Sequence, residues 1–312
     1  MRQALIVAGP TCSGKSALAL ALARLLGGTV INADSMQVYR ELRVLTARPT
    51  PEDEALAPHL LYGVRAAAEP GSVGWWRAAA LAEMAEAGTP ILCGGTGMYL
   101  QALTQGIAEV PDPGPEARAE ARGLLEAEGA AALHARLAAV DPATAAGLRP
   151  GDSQRLARAW EVWRGTGQGL AAWQARLAEA APYSFRVIQL DPPRAGLREA
   201  VAARFDTMLT DGAIEEVRAL LALNLDPALP AMRAHGVPEL AAHLRGELTL
   251  EEARERAVFA TGRYVKRQST WFRNRRIADP SATHTIRARV RSSEQLSESE
   301  WTEILAFVSV SG

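Results

Sequence analysis

The feature that most constrains this chain is a glycine-rich stretch close to its N-terminus. Residues 9–16 are Gly-Pro-Thr-Cys-Ser-Gly-Lys-Ser, which fits the phosphate-loop pattern of nucleotide- and ATP-binding proteins, G-x-x-x-x-G-K-[ST]. The apolar run Ala4–Ala8 before it predicts a strand, and Ala17–Leu26 after it predicts a helix. A strand that turns into a helix start directs backbone N–H groups and the positive end of the helix dipole into one concavity. We therefore expect the chain to hold a diphosphate or triphosphate.

Individual residues of this P-loop have distinct expected roles. Lys15 supplies a positive point charge, and the hydroxyl of Ser16 is a ligand for Mg²⁺. The thiol of Cys12 is expected to be a bystander rather than a nucleophile. The expected phosphate-binding residues are Gly9, Pro10, Thr11, Cys12, Ser13, Gly14, Lys15 and Ser16. The motif identifies the bound group and leaves the reaction open.

Strands and helices alternate over the first hundred residues. The predicted elements are a strand at Thr29–Ala33, a helix at Gly74–Ala87, a strand at Pro90–Cys93 and a helix at Met98–Leu103. This order predicts an α/β fold, with a P-loop parallel sheet and helices on both faces. Ligands of such sheets lie outside the carboxyl ends of the strands, so the loops at Gly9, Asp34 and Gly94 should converge on one crevice.

The pattern changes at the breaker cluster Pro111–Pro115. From there to about Ala180 the sequence is rich in Ala, Leu, Arg and Glu, which predicts helices, and Phe185–Leu190 then predicts a strand again. We predict a helical insertion domain at 111–182, within a P-loop core formed by 1–110 and 183–312. The alternative is that these helices simply extend the core.

Charge is balanced overall but not locally. The net charge is −1, so a nucleic-acid site would have to be a local patch. The stretch Arg263–Arg276 holds six Lys or Arg and no acid, with Tyr264, Trp271 and Phe272 interleaved. This pattern fits two interpretations equally well: phosphate neutralisation with base stacking, or a solvated helix face whose aromatic rings belong to the core.

The composition also bears on location. Two cysteines cannot form a disulfide framework, and no apolar run approaches the roughly 20 residues of a membrane span. The first apolar stretch runs straight into the P-loop, so no signal peptide is expected. We expect a cytoplasmic protein with no membrane contact and no protein partner.

The candidate chemistry depends on the positions of the acidic residues relative to the predicted strands. The strand that ends at Cys93 is followed by Gly94-Gly95 and lacks the Mg²⁺-binding Asp of many P-loop enzymes, whereas Asp34 follows the strand after the P-loop helix. Asp34 is the candidate general base, although a turn or capping role also fits, and Thr96 offers a hydroxyl at the same crevice. A small-molecule kinase, a transferase with a diphosphate leaving group and a nucleotide-switched binding module all remain open. A switch would carry a carboxylate after the Cys93 strand, which is absent.

Several ordered motifs together resemble the tRNA dimethylallyltransferase, or tRNA isopentenyltransferase, family of the bacterial type. They are the P-loop, Asn32–Arg40, Gly94–Tyr99, Asp152–Ala159, Arg204–Met208 and Lys266–Arg273. The similarity covers about residues 4–277 in consistent order. It implies transfer of a dimethylallyl group from dimethylallyl diphosphate to N6 of adenosine at tRNA position 37, with Mg²⁺ as cofactor and the anticodon arm as partner.

The resemblance also implies roles for residues of this chain. Lys15, Asp34 and Thr96 would be catalytic, and Arg204 would join the P-loop in binding the diphosphate. The implied tRNA-binding residues are Asp34, Ser35, Met36, Gln37, Thr96, Arg118, Gln154, Arg155, Leu156, Ala157, Arg158, Lys266, Arg267, Gln268 and Arg273.

The chain departs from the family pattern in places. Arg48 stands where the family usually has a Lys, and Val237 replaces an aromatic residue that usually follows the glycine at 236. The zinc-finger tail of eukaryotic relatives is missing, so no zinc is expected. Prenylation of free adenine nucleotides is the alternative within the family.

Overall fold

The computed structural model describes residues 2–176, 179–290, 292 and 295–309. The chain forms two compact units, one made of 1–104 with 181–312 and the other of 105–180. We call them the P-loop unit and the helical unit. The boundaries therefore lie at 105 and 180, where the sequence predicted 111 and 182.

The P-loop unit is built on a six-stranded parallel sheet, which confirms the predicted α/β fold. The strands are β1 (Arg2–Ala8), β2 (Thr29–Asn32), β3 (His59–Leu60), β4 (Pro90–Gly94), β5 (Tyr183–Leu190) and β6 (Thr283–Ile286). Their spatial order is β3-β2-β4-β1-β5-β6, and each neighbouring pair is parallel. The sequence analysis missed β3 and β6, because a two-residue strand and a short, partly exposed edge strand have no hydrophobic period to detect.

The helices are α1 (Lys15–Leu26), α2 (Pro51–Leu56), α3 (Val73–Glu86), α4 (Gly97–Thr104), α5 (Gly114–Val140), α6 (Pro142–Ala146), α7 (Ser153–Thr166), α8 (Leu170–Gln174), α9 (Arg194–Thr210), α10 (Ala213–Ala222), α11 (Val237–Leu244), α12 (Leu250–Asn274) and α13 (Glu298–Ser309). Two short 3₁₀ turns lie at Ala231–Arg233 and Pro280–Ala282. Among the described residues, none of these helices combines the length and the apolar character that crossing a bilayer requires.

Both faces of the sheet are covered, as predicted. Alternate residues of β1 enter different cores: Ile6 packs with Trp76 of α3 and Leu100 of α4, whereas Val7 packs with Leu22 of α1. Because both faces are buried, residues 4–8 of β1 form a continuous apolar run rather than an alternating one. The sheet therefore holds the P-loop and the β2 and β4 loops as rigid edges of one fold.

The helical unit has a small core of its own. Leu133 and Leu137 of α5 pack against Leu156 and Trp160 of α7. Asp152 caps α7 by accepting a hydrogen bond from the Arg155 N–H, which fixes the start of this helix. Its four helices are consistent with the Ala- and Leu-rich composition that predicted a helical insertion.

Candidate functional site

The P-loop joins the end of β1 to the first turn of α1. Cys12 and Gly14 take positive φ angles of 66° and 96°, so the backbone curls into a tight turn before Lys15. A Cβ at Gly14 would lie 1.6 Å from the carbonyl oxygen of Val290, so only glycine fits there. The tight turn leaves the N-terminus of α1 facing the carboxyl edge of the sheet, which is an arrangement that favours anions.

Two cations lie on the wall of the pocket beside this loop. The side chain of Lys15 is buried, with 8% of its surface exposed, and Nη1 of Arg204 lies 3.9 Å from Sγ of Cys12. Nη2 of Arg204 donates to the carbonyl oxygen of Thr46. Within the described part of the chain neither cation forms an ion pair. An anionic ligand would neutralise both positive charges.

Asp34 follows β2 and lines the same pocket as Lys15. Its backbone N–H donates to Oδ1 of Asn32, and its own Oδ1 accepts from the N–H of Met36 at 3.0 Å. No ion pair to a described cation neutralises the Asp34 carboxylate. These contacts hold one carboxylate oxygen within the loop, and the structure shows no partner among the described residues for the other.

Thr96 lies behind the Asp34 loop rather than among the pocket-lining residues. Its Oγ1 accepts a hydrogen bond from the N–H of Ser35 at 3.0 Å and donates to the Ser35 hydroxyl at 3.3 Å. The phenol of Tyr264 also forms a hydrogen bond with Thr96, and burial raises the pKa of Tyr264 well above its usual value. Thr96 thus connects the β2 loop, the β4 loop and α12.

The other end of the pocket is apolar. Leu45, Val201, Phe205 and Met208 line it together with Ala234. His235 and Tyr264 complete this wall, with their ring centroids 4.9 Å apart. Burial, followed by the positive charge of Arg267, lowers the pKa of His235, so its imidazole is neutral at pH 7. The pocket therefore combines the cations Lys15 and Arg204 with an apolar wall.

The predicted tRNA-binding residues of the β2 loop have unequal exposure. Met36 and Gln37 line the pocket, and Ser35 is held by Thr96. Gln37 is 9% exposed, and its Nε2 donates to the carbonyl oxygens of Thr46 and Ala47. Gln37 therefore holds the Thr46–Ala47 segment in place beside the pocket.

Gln268 lies inside the protein, which its assignment from the resemblance did not indicate. It is 5% exposed; its Oε1 accepts from the N–H of Thr11 at 2.9 Å and its Nε2 donates to the carbonyl oxygen of Gly95 at 3.0 Å. A Cβ at Gly95 would lie 2.3 Å from this Nε2. Gln268 thus clamps the P-loop to the β4 loop, and its amide is used within the protein rather than offered to RNA.

The basic stretch of α12 separates into an outer and an inner face. Arg263, Lys266 and Arg267 are exposed, whereas the exposed Arg273 pairs with Asp191 at 2.7 Å. The interleaved aromatic residues are placed differently from the predicted stacking surface. Tyr264 lines the pocket, Phe272 is buried in the core, and Trp271 packs against Gly97. Of the two interpretations of these rings, core packing applies to Phe272, whereas Tyr264 lines the pocket and Trp271 is half-buried.

The helical unit holds the remaining predicted contacts. Arg118 is exposed and pairs with Asp112, and Arg158 pairs with Glu161 at 3.3 Å. Gln154 and Arg155 are exposed and Ala157 is half-buried. Leu156 is fully buried in the unit's core, so its side chain provides packing rather than a contact with RNA.

Arg48, at the position of the usual Lys, is half-buried. Its Nη1 donates to the carbonyl oxygen of Arg40 at 3.3 Å, and its guanidinium packs against Gly63, where a Cβ would lie 2.2 Å from Nη1. Burial, followed by the charge of Arg43, lowers its pKa.

The apolar pocket wall was not found from the sequence. Its residues come from α9, the segment before α11 and the loop around Leu45, which are far apart in the chain and share no local motif. The available signal was the Arg204–Met208 block, in which three pocket residues, Arg204, Phe205 and Met208, lie on one face of α9.

Family models match most of the chain. A model described as IPP transferase matches residues 37–275, and one described as isopentenyl transferase matches residues 2–57. Together they span the P-loop, the β2 loop, the helical unit and α12.

Close relatives agree with the family models. The chain is 61% identical to the tRNA dimethylallyltransferase of Acidiphilium cryptum, over 99% of this chain and 96% of the relative. It is 62% identical to the protein of that name from Gluconacetobacter diazotrophicus, over 98% of this chain and 94% of the relative.

Solved structures share the fold. The tRNA isopentenylpyrophosphate transferase of Bacillus halodurans matches with a TM-score of 0.68 and 29% identity, over 99% of this chain and 97% of that one. A eukaryotic dimethylallyltransferase acting on tRNA has a TM-score of 0.80 at 23% identity, over 98% of this chain and 79% of that one, and supports the fold alone.

Proposed function

This chain belongs to the tRNA dimethylallyltransferase family, and on that premise we propose that it is a prenyltransferase acting on tRNA. It transfers a dimethylallyl group from dimethylallyl diphosphate to N6 of adenosine at tRNA position 37. One observation supports this most directly: a single pocket is lined by Lys15 and Arg204, which form no ion pair with described residues, by an apolar wall and by Asp34. A diphosphate, a five-carbon chain and a proton would each find a matching group there.

The P-loop end binds the diphosphate. Lys15, Arg204 and the backbone N–H groups of the loop hold its oxygens, and the branched hydrocarbon lies against Leu45, Phe205 and Met208. Because the cations have no ion pairs among the described residues, they stabilise the charge that grows on the diphosphate as the C1–O bond breaks.

The acceptor approaches from the side of Asp34. N6 of adenine attacks C1 of the allylic chain, the C1–O bond breaks, and diphosphate leaves. The exocyclic amine is a weak nucleophile, so Asp34 accepts the proton that N6 loses. Adenine must leave the base stack of the anticodon loop to reach this pocket, as other base-modifying enzymes require.

Mg²⁺ fits the site through Ser16. Ser16 lines the pocket directly after Lys15, and no cluster of three or more metal-ligating His, Cys, Asp or Glu occurs among the described residues. This donor set suits an ion that takes most of its ligands from a diphosphate and water. When bound, Mg²⁺ would neutralise part of the charge on the diphosphate.

Residues outside the pocket provide the grip on tRNA. We assign phosphate contacts to the exposed cations Lys266 and Arg267 on α12, and to Arg118, Arg155 and Arg158 in the helical unit. A cytoplasmic location accompanies this function. Prenylation of free adenine nucleotides is the competing activity, and it would leave these cations without a role.

The direct test is to incubate the protein with dimethylallyl diphosphate and Mg²⁺, and with either unmodified tRNA or AMP. We expect prenylated tRNA and no prenylated AMP, detected by mass spectrometry of nucleosides and nucleotides. A tRNA in which adenosine 37 is replaced by guanosine is the matched control and should stay unmodified. Preferential prenylation of AMP would overturn the proposal.

A further inference from the structure

The outward face of α12 forms one continuous stripe. Arg256, Phe259, Arg263, Lys266 and Thr270 are all exposed and recur at spacings of three and four residues. Such spacing places side chains on the same face of a helix. We call this set the outer stripe.

Phe259 is the unusual member of the outer stripe. It is 68% exposed, whereas the buried residues of the same helix, Ala257 and Val265 among them, face inward. The three aromatic residues further along α12 are used in the pocket or the core. Phe259 is therefore an aromatic ring that this helix presents to solvent, whereas Trp271 is half-buried.

Three exposed cations that follow Phe259 on α12 form no ion pair with a described carboxylate. Arg263, Lys266 and Arg267 form no ion pair with any described residue. By contrast, Arg254 and Arg273 on the same helix pair with Asp206 and Asp191. The outer stripe thus combines an exposed flat ring with uncompensated positive charge.

We propose that the outer stripe binds an unpaired segment of the tRNA, with a base stacked on Phe259 and phosphates held by Arg263 and Lys266. This inference rests on the proposed function. Single-stranded RNA supplies both a flat π-face and closely spaced negative charge, which is the combination that this surface complements. An acidic protein segment would use the cations but would gain little from one isolated ring.

The test compares Phe259→Ala, Phe259→Leu and Phe259→Trp. We expect the Ala and Leu variants to weaken tRNA binding by roughly 5- to 100-fold, the range for loss of one base–aromatic stack, and the Trp variant to bind as the wild type does. The slope of log K against log salt should stay unchanged in all three. Lys266→Gln is the matched control and should flatten that slope by roughly 0.7–0.9.

Two results would overturn the stacking role. One is wild-type tRNA affinity in Phe259→Ala, and the other is full affinity in Phe259→Leu, which would indicate an ordinary apolar contact. Thermal unfolding of each variant checks that the helix is intact. Prenylation of tRNA by the wild-type protein is measured in parallel, so failure of the proposed function is recognised separately.

A second inference concerns the opposite side of the P-loop. Nε of Arg289 donates to the carbonyl oxygen of Cys12 at 2.8 Å, and the N–H of Val290 donates to the carbonyl oxygen of Ser13 at 3.0 Å. These residues follow β6 and lie beyond residue 275, where the IPP transferase match ends.

These two bonds fix the orientation of P-loop peptides. In a trans peptide the C=O and the following N–H point in opposite directions, so holding the Ser13 carbonyl directs the Gly14 N–H away from Val290. Cys12 has a positive φ, which a non-glycine residue keeps only when its surroundings enforce it. We infer that Arg289 is a positioning residue that holds the P-loop in its anion-binding conformation.

The test uses inorganic diphosphate as the probe, so it does not depend on prenyl transfer. We expect Arg289→Gln to weaken diphosphate binding by roughly 3- to 30-fold, with Arg289→Lys partly restoring it, while tRNA affinity and the thermal midpoint stay near wild type. Arg287→Gln, an exposed neighbour on the same segment, is the matched control and should leave diphosphate binding unchanged. Wild-type diphosphate affinity in Arg289→Gln would overturn the inference, as would an equal loss in Arg287→Gln.

Discussion

The P-loop pocket and the helical unit differ in whether their charged side chains form ion pairs. In the helical unit, exposed arginines pair with nearby acids, as in Arg136–Glu128 and Arg164–Glu120. In the pocket, Lys15, Arg204 and Asp34 form no ion pair with described residues, although Lys15 is almost fully buried. Exposed pairs contribute only about 0–1 kcal/mol each, whereas unpaired charges in a pocket are unfavourable until a ligand arrives. A ligand that neutralises the charges of the pocket therefore removes a cost that the paired charges of the helical unit do not carry.

The largest effect should come from the acid of the pocket. Asp34→Asn keeps the oxygen that accepts the Met36 N–H but removes the negative charge, so single-turnover prenyl transfer should fall by roughly 10²–10⁴-fold. Quench-flow measurement with saturating tRNA and donor checks this. If tRNA affinity fell and the single-turnover rate did not, Asp34 would be a positioning residue instead.

The second-largest effect should come from removing the positive charge of Lys15 in the P-loop. Lys15→Met preserves the length of the buried stem and removes the charge that faces the leaving diphosphate, so kcat should fall by roughly 10²–10³-fold. The same variant should bind tRNA normally in a filter-binding assay. Wild-type turnover would mean that the unpaired cations of the pocket do not mark the leaving-group site.

A smaller effect is expected for Gln268, an uncharged residue whose hydrogen bonds connect the P-loop to the β4 loop. Gln268→Leu leaves the Thr11 N–H and the Gly95 carbonyl without their partner, so the free energy of unfolding should fall by about 1–3 kcal/mol. Chemical denaturation measures this, and the KM for dimethylallyl diphosphate should rise as the P-loop loosens. Unchanged stability together with a rise in the KM for tRNA alone would restore Gln268 as an RNA contact.

The smallest effect on stability should occur in the helical unit. Substitution of the exposed Arg155 or the half-buried Arg158 by Gln should change the free energy of unfolding by only about 0.5 kcal/mol. tRNA affinity should nevertheless weaken, with a salt slope lower by roughly 0.7–0.9 for each lost phosphate contact. A large loss of stability with an unchanged slope would show that these arginines are structural, and the contrast between the two regions would fail.

Local sequence predicted local structure well. The P-loop, its flanking strand and helix, and the position of Asp34 after β2 depend on residues that are adjacent in the chain, so a motif contains them. The strands β3 and β6 were missed because their pairing partners, rather than their own residues, make them strands.

Contacts between distant parts of the chain could not be predicted in this way. Three aromatic residues in a basic helix suggested stacking on RNA, but tertiary packing turned Tyr264 to the pocket and Phe272 to the core. Phe259, just outside the basic stretch, is the ring left in solvent.

The sequence by itself predicted the parallel α/β architecture, the P-loop turn before α1 and the family to which the chain belongs. Short motifs and the order of strands and helices along the chain are sufficient to predict those properties. Only the tertiary structure decided that Gln268 clamps the P-loop, that Arg289 supports it from the opposite side, and which α12 residues face outward. These contacts join residues that are more than two hundred and fifty positions apart. Such pairs meet only when the whole core packs, and no local pattern of residues encodes that event.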